Sequence, residues 1–166
     1  MLFGVCDGHG LSGHFVSAFV KKRLPQNLTE ALEAINDPKK SFEAKDELAI
    51  RAAFKKTDQE LISRRTKINC NYSGTTVVTV MIKDDNLICA NVGDSRAVLA
   101  SYKPIEAKMT AREGVAIVDE ERMKWISHPL SRDHKPDIPE EKERINISGG
   151  RVSSYIEVDP VTGIKI

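Results

Sequence analysis

The chain has 166 residues, with 25 Lys and Arg against 24 Asp and Glu and a formal net charge of +1. That length suits one domain, and 40% hydrophobic against 30% charged residues lies far from the signature of disorder. The near-neutral balance argues against a general nucleic-acid binder, which gains affinity from a basic excess, and 5% aromatics leaves little for stacking on single strands.

No apolar run approaches the ~20 residues of a membrane span. Charge arrives at Asp7, too early for a secretory signal, so a cytoplasmic or nuclear protein is expected. Cys6, Cys70 and Cys89 are an odd number at no metal-ligand spacing, and the two within apolar stretches read as reduced, buried thiols. Sequons at Asn27, Asn71 and Asn146 are expected to go unused without a secretory signal.

Leu2 to Cys6 reads as a buried strand that stops at the Asp7-Gly8 turn. A helix is expected from about Ser12, with Phe15, Val16, Phe19, Val20 and Leu24 on one face and Pro25 ending it. Asn27 to Ile35 reads as a second short helix, stopped by Asp37-Pro38. Ser41 is a plausible N-cap for a long helix to about Arg64, with Ala49, Ile50, Ala53, Phe54, Thr57 and Leu61 near one stripe.

The period then changes. Thr75 to Ile82 is β-branched, Lys83 to Asn86 is a polar turn, and Leu87 to Val92 is a second strand. Gly93-Asp94-Ser95 turns again before a third strand over Arg96 to Ser101, so a three-stranded antiparallel meander is expected. Val115 to Val118 suits a strand, and Asp119 to Trp125 a turn or two of helix. Asp137 and Glu140 resemble a capping pair for a short helix ending at Gly149-Gly150. Tyr155 to Val158 and Ile164 to Ile166 would form a closing hairpin.

Asp7-Gly8-His9-Gly10 carries the most chemistry. A carboxylate at a strand end can enter a cleft without a flexible tether, and hard oxygens suit Mg²⁺ or Mn²⁺. The following glycine lets a backbone carbonyl approach a metal closely. His9 is then placed to move a proton near neutral pH. The alternative is a plain strand-ending turn with a surface histidine. Gly93-Asp94-Ser95-Arg96 repeats the pattern, and its alternative is an Asx-type turn with Asp94 and Arg96 in a structural pair. Ser95 lacks the surroundings of a nucleophile elbow.

Five short motifs occur in order, the first being Phe3-Gly4-Val5-Cys6-Asp7-Gly8-His9-Gly10. They include Ser73-Gly74-Thr75-Thr76, Ala90 to Ala97, Leu130-Ser131-Arg132-Asp133-His134-Lys135-Pro136, and Glu141 to Ile145 with Gly149-Gly150-Arg151-Val152. In this order they resemble the type 2C, metal-dependent protein serine/threonine phosphatases. The resemblance runs from about Leu2 to Val152 and leaves out the middle of Tyr102 to His128.

It implies an α+β fold, an antiparallel β-sandwich flanked by helices, and a two-metal centre of Mg²⁺ or Mn²⁺ acting on phosphoprotein substrates. It implies that Asp7 is the bridging carboxylate, that the Gly8 carbonyl binds metal, and that Asp94 serves a weaker additional metal. It implies that His9 protonates the leaving seryl or threonyl oxygen. Ser73 to Thr76 and His134 are expected to be scaffold.

Family members also carry a preceding strand with a phosphate-gripping Arg and an acidic pair, and a later part with two further acidic ligands. Neither matches within these 166 residues. The expectation is therefore a partial phosphatase domain over 1–166, incomplete as a sandwich, with an insertion at 103–127. By itself it is expected to be weak or inactive and to self-associate through unpaired strand edges. The alternative is a truncated phosphatase fold acting as a non-catalytic interaction module.

Overall fold

A computed structural model describes residues 1–35, 41–63, 66–104, 110–112, 115–117 and 123–153. These form two compact units that divide after Asp133.

The first unit begins with β1 (Leu2–Val5) and the two-residue β2 (Gly8–His9), followed by α1 (Gly13–Ala34) and α2 (Phe42–Ile62). After these come β3 (Gly74–Thr75), β4 (Val77–Lys83), β5 (Asn86–Val92), β6 (Val98–Pro104), β7 (Thr110–Arg112), β8 (Val115–Ile117) and β9 (Met123–Pro129). β4 is the centre of a three-stranded antiparallel sheet, ordered β1-β4-β5. The register runs Leu2↔Met81 to Val5↔Val78 on one side and Val77↔Val92 to Lys83↔Asn86 on the other.

Alternation along β4 sets which face is covered. Val77, Thr79 and Met81 face the helices, whose contribution is Val16, Val20, Leu24 and Leu28 from α1 and Ala49, Ile50, Ala53 and Leu61 from α2. The two helices run antiparallel. Arg23 donates to Glu60 through Nε and Nη2, at 2.8 Å each, and Asn27 Nδ2 donates to Thr57 Oγ1 at 3.0 Å. Asn27 is 1% exposed, so its sequon is shut inside the folded protein.

Several expectations are corrected. Pro25 does not end α1, which continues as one helix to Ala34. Pro25 lies on the exposed side, so the missing N–H costs one solvent-side bond, while Leu24, Asn27 and Leu28 hold both halves onto α2. β1 is not buried: Phe3 is 56% and Val5 61% exposed. It is an edge strand paired only with β4 among the described residues. The three cysteines are half-buried rather than buried, and burial pushes the thiols of Cys6 and Cys89 up.

The expected meander fails at its third strand. Gly93, at φ +99°, turns the chain away from β5, and β6 pairs instead with β9, from Val98↔Pro129 to Pro104↔Met123. Trp125, expected in a helix, lies in β9 opposite Tyr102, with ring centroids 5.1 Å apart. Residues 119–122 of that expected helix lie outside the described residues. The polar turn between β4 and β5 is tight, as expected, with Asp84 at φ +52°.

The second unit contains α3 (Pro139–Ile147). Asp137 does not cap it. Ile138 is the N-cap residue without a side-chain bond, and Pro139 opens the helix with its fixed φ. The helix stops as expected: Gly149, at φ +82°, donates to Asn146 O, and Gly150 donates to Ile145 O. The expected closing hairpin lies outside the described residues.

Candidate functional site

The register of the three-stranded sheet brings three chain segments to one end. β1 leaves there toward Asp7, β4 enters there from Thr76, and β5 leaves there toward Gly93 and Asp94. Asp7 and Asp94 therefore sit on turns at either side of the same central strand. Strands two apart in a sheet are separated by roughly 10 Å between backbones.

The Asp7 turn is pinned through its backbone. Its N–H donates to Thr76 Oγ1 at 3.1 Å, and its carbonyl accepts from the Thr76 N–H at 2.9 Å. β2 then pairs with β3, Gly8 opposite Thr75 and His9 opposite Gly74. Gly8 touches the first turn of α1. A Cβ there would lie 2.2 Å from the Gly13 carbonyl oxygen, so only glycine lets the helix start this close to the turn. The His9 ring lies over Gly74, where an added Cβ would come within 2.7 Å of Nε2. His9 is exposed and its ring makes no hydrogen bond among the described residues.

The Asp94 turn is held from its flanks. Asn91 Nδ2 donates to Gly93 O at 3.0 Å and to Arg132 O at 2.9 Å. Ala97 N–H donates to Ser131 Oγ, and Leu130 N–H to Ala97 O. Arg96 forms a two-pronged pair with Asp133, Nε to Oδ1 at 2.8 Å and Nη2 to Oδ2 at 2.9 Å. That carboxylate holds the Arg96 guanidinium above its ordinary pKa. The structural pair expected between Asp94 and Arg96 is thus replaced by one between Arg96 and Asp133. Ser131, Arg132 and Asp133 brace the turn.

Asp7 and Asp94 are both exposed, and neither carboxylate is hydrogen-bonded or ion-paired among the described residues. Free hard oxygens on two fixed turns fit a divalent cation. Two carboxylates are fewer ligands than such an ion takes. Among the described residues no three His, Cys, Asp or Glu side chains gather as a metal cluster. The side chains that join the two turns, Thr76 and Ser95, and Asn91, which braces the second, were not legible as site residues. The only signal was a polar Asn91 inside an apolar strand, and its buried Oδ1 has no partner among the described residues.

A family model described as protein phosphatase 2C matches residues 1–163. A protein of Arabidopsis thaliana described as "Probable protein phosphatase 2C 35" is 36% identical over 163 residues, covering 98% of this chain and 38% of its own length. "Protein phosphatase 1L" of Bos taurus is 32% identical over 152 residues, covering 92% of this chain and 36% of its own. The crystal structure of a serine-threonine phosphatase 2C from Toxoplasma gondii superposes with a TM-score of 0.51 at 24% identity. That match covers 97% of this chain and 47% of the other.

The chain belongs to the protein phosphatase 2C family. Its helices and antiparallel sheets are an α+β arrangement spanning part of that fold, and it covers less than half the length of these relatives.

Proposed function

We propose that residues 1–166 are part of the catalytic domain of a metal-dependent protein serine/threonine phosphatase, with 103–127 inserted into it. The observation that carries this reading is the pair of unengaged carboxylates, Asp7 and Asp94, on two fixed turns at one end of the sheet. Family membership supports it.

In this reading Asp7 and the Gly8 carbonyl hold Mg²⁺ or Mn²⁺, and Asp94 holds a further ion more weakly. When bound, such ions supply a water of lowered pKa and neutralise phosphoryl oxygens. His9 presents an exposed imidazole whose ring is seated on Gly74, so it has a limited range of positions from which to give a proton to a leaving seryl or threonyl oxygen. The substrates are phosphoserine and phosphothreonine in proteins.

The same ligand count makes the isolated chain a weak catalyst. Mg²⁺ demands near-octahedral oxygen coordination, and Asp7, Gly8 and Asp94 supply a minority of it. The lack of a three-residue metal cluster among the described residues favours one second reading, a non-catalytic module that binds phosphoproteins.

Phosphate release from a phosphothreonine peptide with Mn²⁺ separates the readings. Slow release that Asp7→Asn removes is expected of a phosphatase. Mn²⁺-dependent peptide binding without release supports the interaction module. Release that survives Asp7→Asn and Asp94→Asn together contradicts the site, and neither release nor binding contradicts both readings.

A further inference from the structure

Thr76 stands between β3 and β4, outside both ladders, and is 8% exposed. Its backbone and side chain meet both turns of the candidate site. Toward the first, its N–H donates to Asp7 O at 2.9 Å and its Oγ1 accepts from Asp7 N–H at 3.1 Å. Toward the second, its Oγ1 lies 2.6 Å from Ser95 Oγ. Its methyl lies beneath Gly93, where an added Cβ would fall 2.8 Å from Thr76 Cγ2.

A hydroxyl has one donor and two acceptor sites. Accepting from Asp7 leaves Thr76 free to donate to Ser95 or to accept from it, so both contacts hold at once. Hydrogen bonds in such a chain strengthen one another in a poorly hydrated setting. Gly93, at φ +99°, is the residue that permits the second turn to close onto the threonine methyl.

We infer that Thr76 is a positioning residue: its hydroxyl couples the Asp7-Gly8 turn to the Gly93-Asp94-Ser95 turn, so that the two carboxylates keep one fixed relation. The coupling is a statement about this chain's hydrogen bonds. Its consequence for metal binding rests on the phosphatase reading above. A threonine that merely enters a strand would satisfy its own backbone without linking the motion of one turn to the other.

Two substitutions divide the contributions. Thr76→Val keeps the methyl and the shape but removes the hydroxyl. Thr76→Ser keeps the hydroxyl. A third, Ser95→Ala, alters the far turn, and Ser95 makes no hydrogen bond to Asp7 among the described residues. The readout is amide hydrogen exchange at Asp7, Asp94 and Ser95, followed by NMR on the 166-residue chain.

Thr76→Val is expected to speed Asp7 exchange about tenfold and to shift the Asp94 and Ser95 signals, with Thr76→Ser close to the parent. Ser95→Ala is expected to speed Asp7 exchange severalfold from a distance. Asp7 exchange within twofold of the parent in Ser95→Ala, or Thr76→Val behaving like Thr76→Ser, overturns the inference. If Thr76→Val does not fold, Ser95→Ala decides alone.

A Mn²⁺ titration of the same samples reads the consequence. Line broadening at the two turns should need about fivefold more Mn²⁺ in Thr76→Val than in the parent or Thr76→Ser. Broadening at neither turn in the parent counts against the metal reading and leaves the exchange data to decide the coupling.

Discussion

Glu60 shows how a single side chain ties helix packing to pH. Arg23 donates to both of its oxygens and Asn27 donates to one, and these bonds hold its carboxyl at about 2 against an ordinary 4.5. A depressed carboxylate pKa means that the unfolded chain takes up the proton first. The stabilisation is therefore whole above pH 4.5 and is lost as the pH falls toward about 2. Thermal unfolding of the parent and of Glu60→Gln from pH 2 to 7 should show a gap that is constant above 4.5 and narrows toward 2. A gap that does not vary with pH would mean that the Arg23 pair contributes nothing through its charge. At the same scale, glycines decide where the two turns of the candidate site can close. Gly8 and Gly93 each stand where a methyl would strike a neighbour within 3 Å.

At the scale of elements, the edges of the sheet carry the main consequence. Among the described residues β1 and β5 each pair only with β4, and β1 leaves Phe3 and Val5 more than half exposed. An apolar edge strand with unpaired backbone groups is a template for another chain. The isolated chain is expected to sediment faster as its concentration rises, and Phe3→Lys with Val5→Lys should suppress that rise. A single monomeric species at every concentration would contradict this. Elements that depend on local pattern were legible in the sequence. Val16, Val20, Leu24 and Leu28 recur at helical spacing, and Ser41 does accept from the Ala44 N–H at 3.3 Å. Elements that depend on distant pairing were not. Nothing near Val98 announces that its partner is Pro129, and nothing in Met123 to Trp125 outweighs a helical reading until β6 is beside it. Pro25 misleads for a related reason: the hold of α2 on both halves of α1 outweighs one lost bond.

At the scale of the molecule, β1 meets β4 only after two helices have intervened, and that pairing brings the Asp7 turn to the candidate site. Asp7, Gly8, His9 and Asp94 could be put forward from the sequence as candidates because each belongs to a short motif at a strand end. Their joint position, and the Thr76 and Ser95 hydroxyls that link them, follow from the sheet register and so appear only in the fold. The most direct measurement is the pattern of Mn²⁺ broadening across the amide spectrum of the chain. Broadening concentrated at Asp7 to His9 and at Asp94 and Ser95, and reduced at both turns by Asp7→Asn, is the expected result. Broadening spread evenly over surface carboxylates, or unchanged by Asp7→Asn, would contradict a cation site built on these two turns.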